Sequence, residues 1–144
     1  MPSVNQSALV GYSAEQMYQL VNNYQQYPEF LPGCVSSRTL TRNDHELTAQ
    51  LVISKAGISQ QFTTHNTMQP HKQIRMQLVE GPFRFLQGYW QFDEIDEGSC
   101  YIRLKLEFEF SSALISMVFG KIFEQLTQKM IDAFKKRAKE VYGV

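Results

Sequence analysis

Apolar and polar residues alternate through most of the chain, and the spacing lengthens to the three or four residues of a helix only near its start and at its end. The cleanest alternation predicts a strand from Tyr101 to Phe110. Ile102, Leu104, Leu106, Phe108 and Phe110 face one way there, and Tyr101, Arg103, Lys105, Glu107 and Glu109 the other. One buried and one wet face is the mark of antiparallel strands. The same period runs through Val4 to Val10, onward from Cys34, and through His45 to Lys55, where Leu47, Ala49, Leu51 and Ile53 share a side. It continues through Ile58 to Met68, with Ile58, Phe62 and Met68 inward, and through Ile74, Met76 and Leu78. Phe83 to Asp93 sets Leu86, Gly88, Trp90 and Phe92 against Phe83, Phe85, Gln87, Tyr89 and Gln91. Ala56-Gly57, Gly81-Pro82 and the acidic stretch Asp93 to Gly98 read as the turns between them.

Ser112 to Val144 reads as one long helix. Ser111 and Ser112 suit its N-cap and Gly143 its left-handed C-cap. Ile115, Phe119, Ile122, Leu126, Met130, Phe134, Ala138 and Val141 form one apolar stripe, and Lys121, Glu124, Gln128, Asp132, Lys135 and Lys139 the polar face. The first part differs. Leu114, Ile115, Met117, Val118, Phe119, Ile122 and Phe123 cover nearly the whole circumference, so this part is either buried all round or turned to lipid or a partner. Gly120 interrupts it as a candidate hinge for a lid. Upstream, Ser13 and Gln16 have the spacing of a capping box over a short helix with Met17, Leu20 and Val21 inside, ended by Asn22 and Asn23. Pro28 suits the first turn of a second short helix, closed by Pro32 and Gly33.

The order is strand, two short helices, about six strands and a long helix, an α+β meander closed by a helix. A sheet wrapped about one helix has to curve, and Gly88 inside a strand is a candidate bulge. One helical stripe hardly fills a deep concave sheet, so an apolar cavity is expected between them, the kind of place where small ligands bind.

Composition narrows the partners. With 144 residues the chain is expected to be a single domain spanning 1–144. Lys and Arg number 14 and so do Asp and Glu, so any attraction to nucleic acid or anionic membrane has to come from a local patch. Cys34 and Cys100 have no metal spacing and read as reduced thiols. No basic start precedes an apolar run, and Ala113 to Phe119 falls far short of the ~20 residues of a membrane span. A cytoplasmic, soluble protein is expected. His45, His65 and His71 are scattered, with no metal-ligand spacing, nucleophile elbow or phosphate-cradling loop, so neither a catalytic residue nor a metal or cofactor is expected.

Three segments carry a resemblance. Tyr27 to Cys34 (YPEFLPGC), Gly81 to Phe92 (GPFRFLQGYWQF), and Ala133-Phe134 with Arg137-Ala138 and Tyr142-Gly143 occur in order, and the match extends from Ala14 to Gly143. Together they resemble the START-like (Bet v 1-type) family, in the polyketide cyclase/dehydrase-like superfamily, that holds coenzyme-Q-binding proteins and ribosome association toxins of the RatA type. The resemblance implies a helix-grip fold: a curved seven-stranded antiparallel sheet around the long C-terminal helix, two short helices after the first strand, and a lipid-sized cavity. It implies two functions. One is non-catalytic binding of a polyprenyl quinone such as ubiquinone in support of respiration; the apolar Ala113 to Phe123 segment, as a lid hinged at Gly120, is the part expected to touch the inner membrane transiently. The other is inhibition of translation by binding the large ribosomal subunit and blocking subunit association.

The residues expected to line the cavity are Tyr27, Phe30, Leu51, Phe62, Met76, Leu86, Trp90, Phe92, Leu106, Phe108, Phe119, Phe123, Leu126 and Met130. Ordinary core packing accounts for each aromatic equally well. Tyr27, in a proline-held turn, is the candidate donor to a quinone carbonyl. Lys135, Lys136, Arg137 and Lys139 complement the negative end of the last helix, which suffices to explain them; the functional alternative is contact with RNA phosphates or anionic lipid.

Overall fold

The computed structural model describes residues 3–31, 33–55 and 57–143. Pro32 and Ala56, placed in turns from the sequence, and Val144, placed at the last helix end, lie outside the described residues. Seven strands form one antiparallel sheet: β1 (Ser3–Val10), β2 (Cys34–Arg42), β3 (Glu46–Lys55), β4 (Ile58–Gln69), β5 (Gln73–Glu80), β6 (Phe83–Asp96) and β7 (Ser99–Phe110). Their order is β1-β7-β6-β5-β4-β3-β2, so β2 to β7 form a meander and β1 returns beside β7. The helix-grip architecture expected from the pattern and from the resemblance is present.

Between β1 and β2 lie α1 (Ala14–Asn22) and a 3-10 helix (Tyr24–Glu29). The Ser13 hydroxyl accepts from the Gln16 amide at 3.1 Å, and the Gln16 side chain accepts from the Ser13 amide at 2.9 Å, which completes the capping box read from the sequence. Pro28 sits late in the 3-10 helix rather than in the first turn of an α-helix. A short i→i+3 turn tolerates it because its missing N–H removes only one bond.

The C-terminal segment is two helices, not one: α2 (Ala113–Gln128) and α3 (Met130–Tyr142), separated at Lys129. The Thr127 hydroxyl donates back to the Glu124 carbonyl at 3.0 Å, a back-bond that bends helices. Gln6 of β1 donates to the Gln128 carbonyl at 3.1 Å, giving the break a partner outside the helix. Gly120, the expected hinge, lies inside unbroken α2. Past the break the buried stripe resets to Ile131, Phe134 and Ala138, and Val141 is exposed. Tyr142 takes over at the end: its hydroxyl donates to the Gln16 carbonyl at 2.8 Å and ties α3 to α1.

Two further expectations are corrected. Gly88 is not a bulge; it sits in regular register between Met76 and Leu106. A side chain there has no room: its Cβ would overlap the Lys105 carbonyl oxygen and lie 2.9 Å from the Leu106 Cα. Strict alternation placed Phe83 on the outer face, but a register shift between Phe83 and Phe85 turns it inward, where it is buried.

Candidate functional site

The inner face of the sheet and the two C-terminal helices enclose a void of about 50 Å³. That is room for roughly three to five waters at the ~10–15 Å³ one water needs, and the lipid-sized cavity implied by the resemblance is narrowed to it. Of the residues expected to line a cavity, Tyr27, Leu51, Phe62, Met76, Leu86, Trp90, Leu106, Phe123, Leu126 and Met130 border the void. The other four lie elsewhere. Phe30 packs edge-on against Tyr27 and Phe134, and Phe92 stacks on Trp90 and meets Tyr18. Phe108 and Phe119 both contact Phe123 in an aromatic cluster at the α2 end.

Sequence reasoning missed four residues at the void: Tyr24, Thr64, Leu104 and Thr127. Three carry hydroxyls. Thr64 follows from the even register of β4, in which Phe62, Thr64, Asn66 and Met68 are all buried; polar side chains at two of these positions hid the inward face. Asn66 is fully buried and donates from Nδ2 to the Tyr24 hydroxyl at 2.6 Å, while its Oδ1 is without a partner. The Tyr24 oxygen accepts this bond. Tyr27, the expected donor, gives its proton to the Val21 carbonyl. Burial pushes the Tyr24 and Tyr27 phenols above their ordinary pKa, so both stay protonated at neutral pH. The void is therefore an apolar chamber whose lining includes the hydroxyl-bearing residues Tyr24, Thr64 and Thr127.

The α2 segment that reads as apolar all round is divided. Phe119 and Phe123 are buried, whereas Leu114, Met117 and Val118 are 64%, 75% and 43% exposed. Sheet and loops do not cover this face. At the far end of the C-terminal pair, Lys135, Lys136 and Lys139 are exposed along α3. Arg137 is set apart from them. It is only 15% exposed, pairs with Glu29 at 3.4 Å, donates to Gln26 at 3.3 Å and lies 5.2 Å from the Phe30 ring centre. It works as a strut between α3 and the 3-10 helix.

The histidines serve local contacts: His65 lies 3.1 Å from the Thr48 hydroxyl and 3.5 Å from Glu46, and His71 lies edge-on to Tyr18. Among the described residues no group of three or more His, Cys, Asp or Glu is placed to hold a metal ion, and no helix is long and apolar enough to cross a membrane. Cys34 and Cys100 are free and buried, and burial pushes each thiol up to about 11, which leaves them protonated and unreactive.

Comparison with known proteins gives concordant results. The family model described as polyketide cyclase / dehydrase and lipid transport matches residues 10–135. The ribosome association toxin RatA of Vibrio cholerae is 52% identical over 143 residues, 99% of each chain. The mitochondrial coenzyme Q-binding protein COQ10 homolog B of Xenopus laevis is 29% identical, over 96% of this chain and 59% of that one. Among solved structures, the Zhui aromatase/cyclase of Streptomyces sp. R1128 superposes with a TM-score of 0.83 at 15% identity, covering 96% of this chain and 93% of that one, a likeness of fold alone. The chain thus belongs to the polyketide cyclase / dehydrase and lipid transport family, alongside relatives named RatA.

Proposed function

We propose that this protein is a non-catalytic translation inhibitor that associates with the large ribosomal subunit and blocks subunit joining. The observation that carries this reading is the 52% identity with RatA along both chains. Buried residues make up about a quarter of the described chain, so identity at half the positions has to extend over the surface, where partners bind. The small size of the void supports the same reading, since the protein's own side chains leave little room there for a lipid. Lys135, Lys136 and Lys139 are the candidate phosphate contacts on α3, and they join none of the ion pairs found among the described residues. Arg137 is taken up internally. In a sucrose gradient of separated subunits, the protein is expected to sediment with the large one, and Lys135→Glu, Lys136→Glu and Lys139→Glu together to release it. Each lost phosphate contact also flattens the salt dependence of binding. Wild-type protein remaining at the top of the gradient would sink this reading.

A second reading is favoured by the hydroxyl-bearing residues in the lining of the void and by the uncovered face of α2. In it, α2 swings about the break at Lys129, Leu114, Met117 and Val118 touch the inner-membrane surface, and the chamber opens to a polyprenyl quinone. The tail contributes ~25 cal/mol per Å² of apolar area buried, and Tyr24 donates to a ring carbonyl. Protein incubated with ubiquinone-loaded liposomes and re-isolated is then expected to carry quinone detectable by mass spectrometry, with Tyr24→Phe carrying less. Re-isolated wild-type protein free of prenyl lipid would count against this reading and leave the ribosomal one standing.

A further inference from the structure

The face of the sheet turned away from the helices carries a second concavity. A groove of about 380 Å³ crosses β4 to β7, lined among others by Arg75, Gln77, Gln87, Tyr89, Lys105 and Glu107. Gly88 lies at its floor, at the point where the strands are too close for a side chain. Register sets Tyr89 between two cations, paired with Arg75 on β5 and with Lys105 on β7. Directly opposed residues on one sheet face have Cβ atoms ~4.5–5.5 Å apart, so the Arg75 and Lys105 side chains start on either side of Tyr89. Two residues on, Gln91 lies between Gln73 and Arg103 in the same way.

The charges are available. Arg75 is exposed, donates from Nε to Gln73 at 3.2 Å, and joins no ion pair found among the described residues. Lys105 meets Glu107 at 3.8 Å, but both ends are open to water, so solvent screens the pair and a phosphate can displace it. Among the described residues Glu107 is the only carboxylate lining the groove. An aromatic ring between cations, edged by amide side chains, suits an unpaired nucleotide. The ring offers a stacking surface for any base, the cations take the flanking phosphates, and the amides reach base edges.

We propose that this groove binds single-stranded RNA, with a base stacked on Tyr89 and the backbone held by Arg75 and Lys105. The proposal rests on the ribosome-association reading for its natural occupant, an exposed loop of ribosomal RNA. It adds a second RNA contact, on the sheet, to the one proposed for the α3 lysines.

The test is fluorescence anisotropy of a labelled ten-nucleotide single-stranded RNA titrated with the full chain at several salt concentrations. Tyr89→Ala is expected to weaken binding about tenfold, within the range measured for base stacking, and Tyr89→Phe to restore it because the ring is kept. Arg75→Glu with Lys105→Glu is expected to weaken it further and to lower the salt slope by about one to two. Thermal melts of each variant separate lost binding from lost folding. Wild-type affinity in both Tyr89→Ala and the charge-reversed variant would overturn the proposal. So would loss in the charge variant alone, which marks a plain anion site. Failures are distinguishable: Tyr89-dependent RNA binding without co-sedimentation sinks the ribosomal reading only. Co-sedimentation indifferent to Tyr89, Arg75 and Lys105 sinks this one.

Discussion

Gly88→Ala is expected to destabilise the protein by at least ~4 kcal/mol, a loss at the exceptional end for single substitutions and a large part of the ~5–15 kcal/mol total stability of a domain. The new methyl group would overlap the carbonyl oxygen of Lys105 and lie 2.9 Å from the Leu106 Cα and 2.7 Å from its Cδ2. Two of these three neighbours are backbone atoms of β7, held by register on one side to β6 and on the other to β1. Neither strand can withdraw without breaking hydrogen bonds in the ladder, and β6 with β7 carries the void on one face and the Tyr89 groove on the other. Urea unfolding followed by Trp90 fluorescence measures the loss. Gly120→Ala serves as the contrast, because a Cβ there meets only ordinary contacts, 3.7 Å to Phe110 and to Ser116. Its helical position should gain up to ~1 kcal/mol from better helix propensity. A Gly88→Ala protein unfolding at the wild-type urea midpoint would show that β6 and β7 are not held this tightly.

The strands were legible because each inward face is a run of apolar side chains at period two, as in Ile102, Leu104, Leu106 and Phe108 of β7, all buried. Two failures have a common cause. Thr64 and Asn66 are polar but point inward, so β4 lost half its apolar signal, and with it the buried Asn66–Tyr24 bond. Phe83 is apolar but out of phase, because a register shift is a property of strand pairing that the composition of β6 does not record. The C-terminal break was hidden for another reason. Nothing from Leu126 to Met130 is a helix breaker; the bend comes from the Thr127 hydroxyl and from Gln6, which is remote in sequence. Lys135, Lys136 and Lys139 read correctly as an exposed run, whereas Arg137 needed its tertiary partners, Glu29, Gln26 and Phe30, to be recognised as a strut.

Phe123→Ala is expected to cost ~3–5 kcal/mol, the usual range for deleting a buried phenyl ring. Phe123 is where α2 attaches to the sheet. Its ring meets those of Phe62, Phe83 and Phe108 at centroid distances of 6.0, 4.9 and 4.9 Å, all edge to face, and those of Phe110 and Phe119 at 6.1 and 6.0 Å. Edge-to-face pairs add ~0.5–1.5 kcal/mol each beyond area burial, so the upper half of the range is the expected result. The same ring borders the void, and its removal joins the lost volume to the existing space. Enlarged apolar cavities of this kind stay dry and take up benzene. Benzene should therefore raise the melting temperature of Phe123→Ala by mass action and leave wild type unchanged, because about 50 Å³ of scattered space does not admit the ring. Two outcomes are informative in opposite directions. A loss below ~1 kcal/mol, against the expectation for a buried ring, would mean that α2 is not anchored here. A wild-type protein that benzene also stabilises would mean that the chamber already opens to apolar ligands in solution, which is what the quinone reading requires and what the closed void alone does not provide.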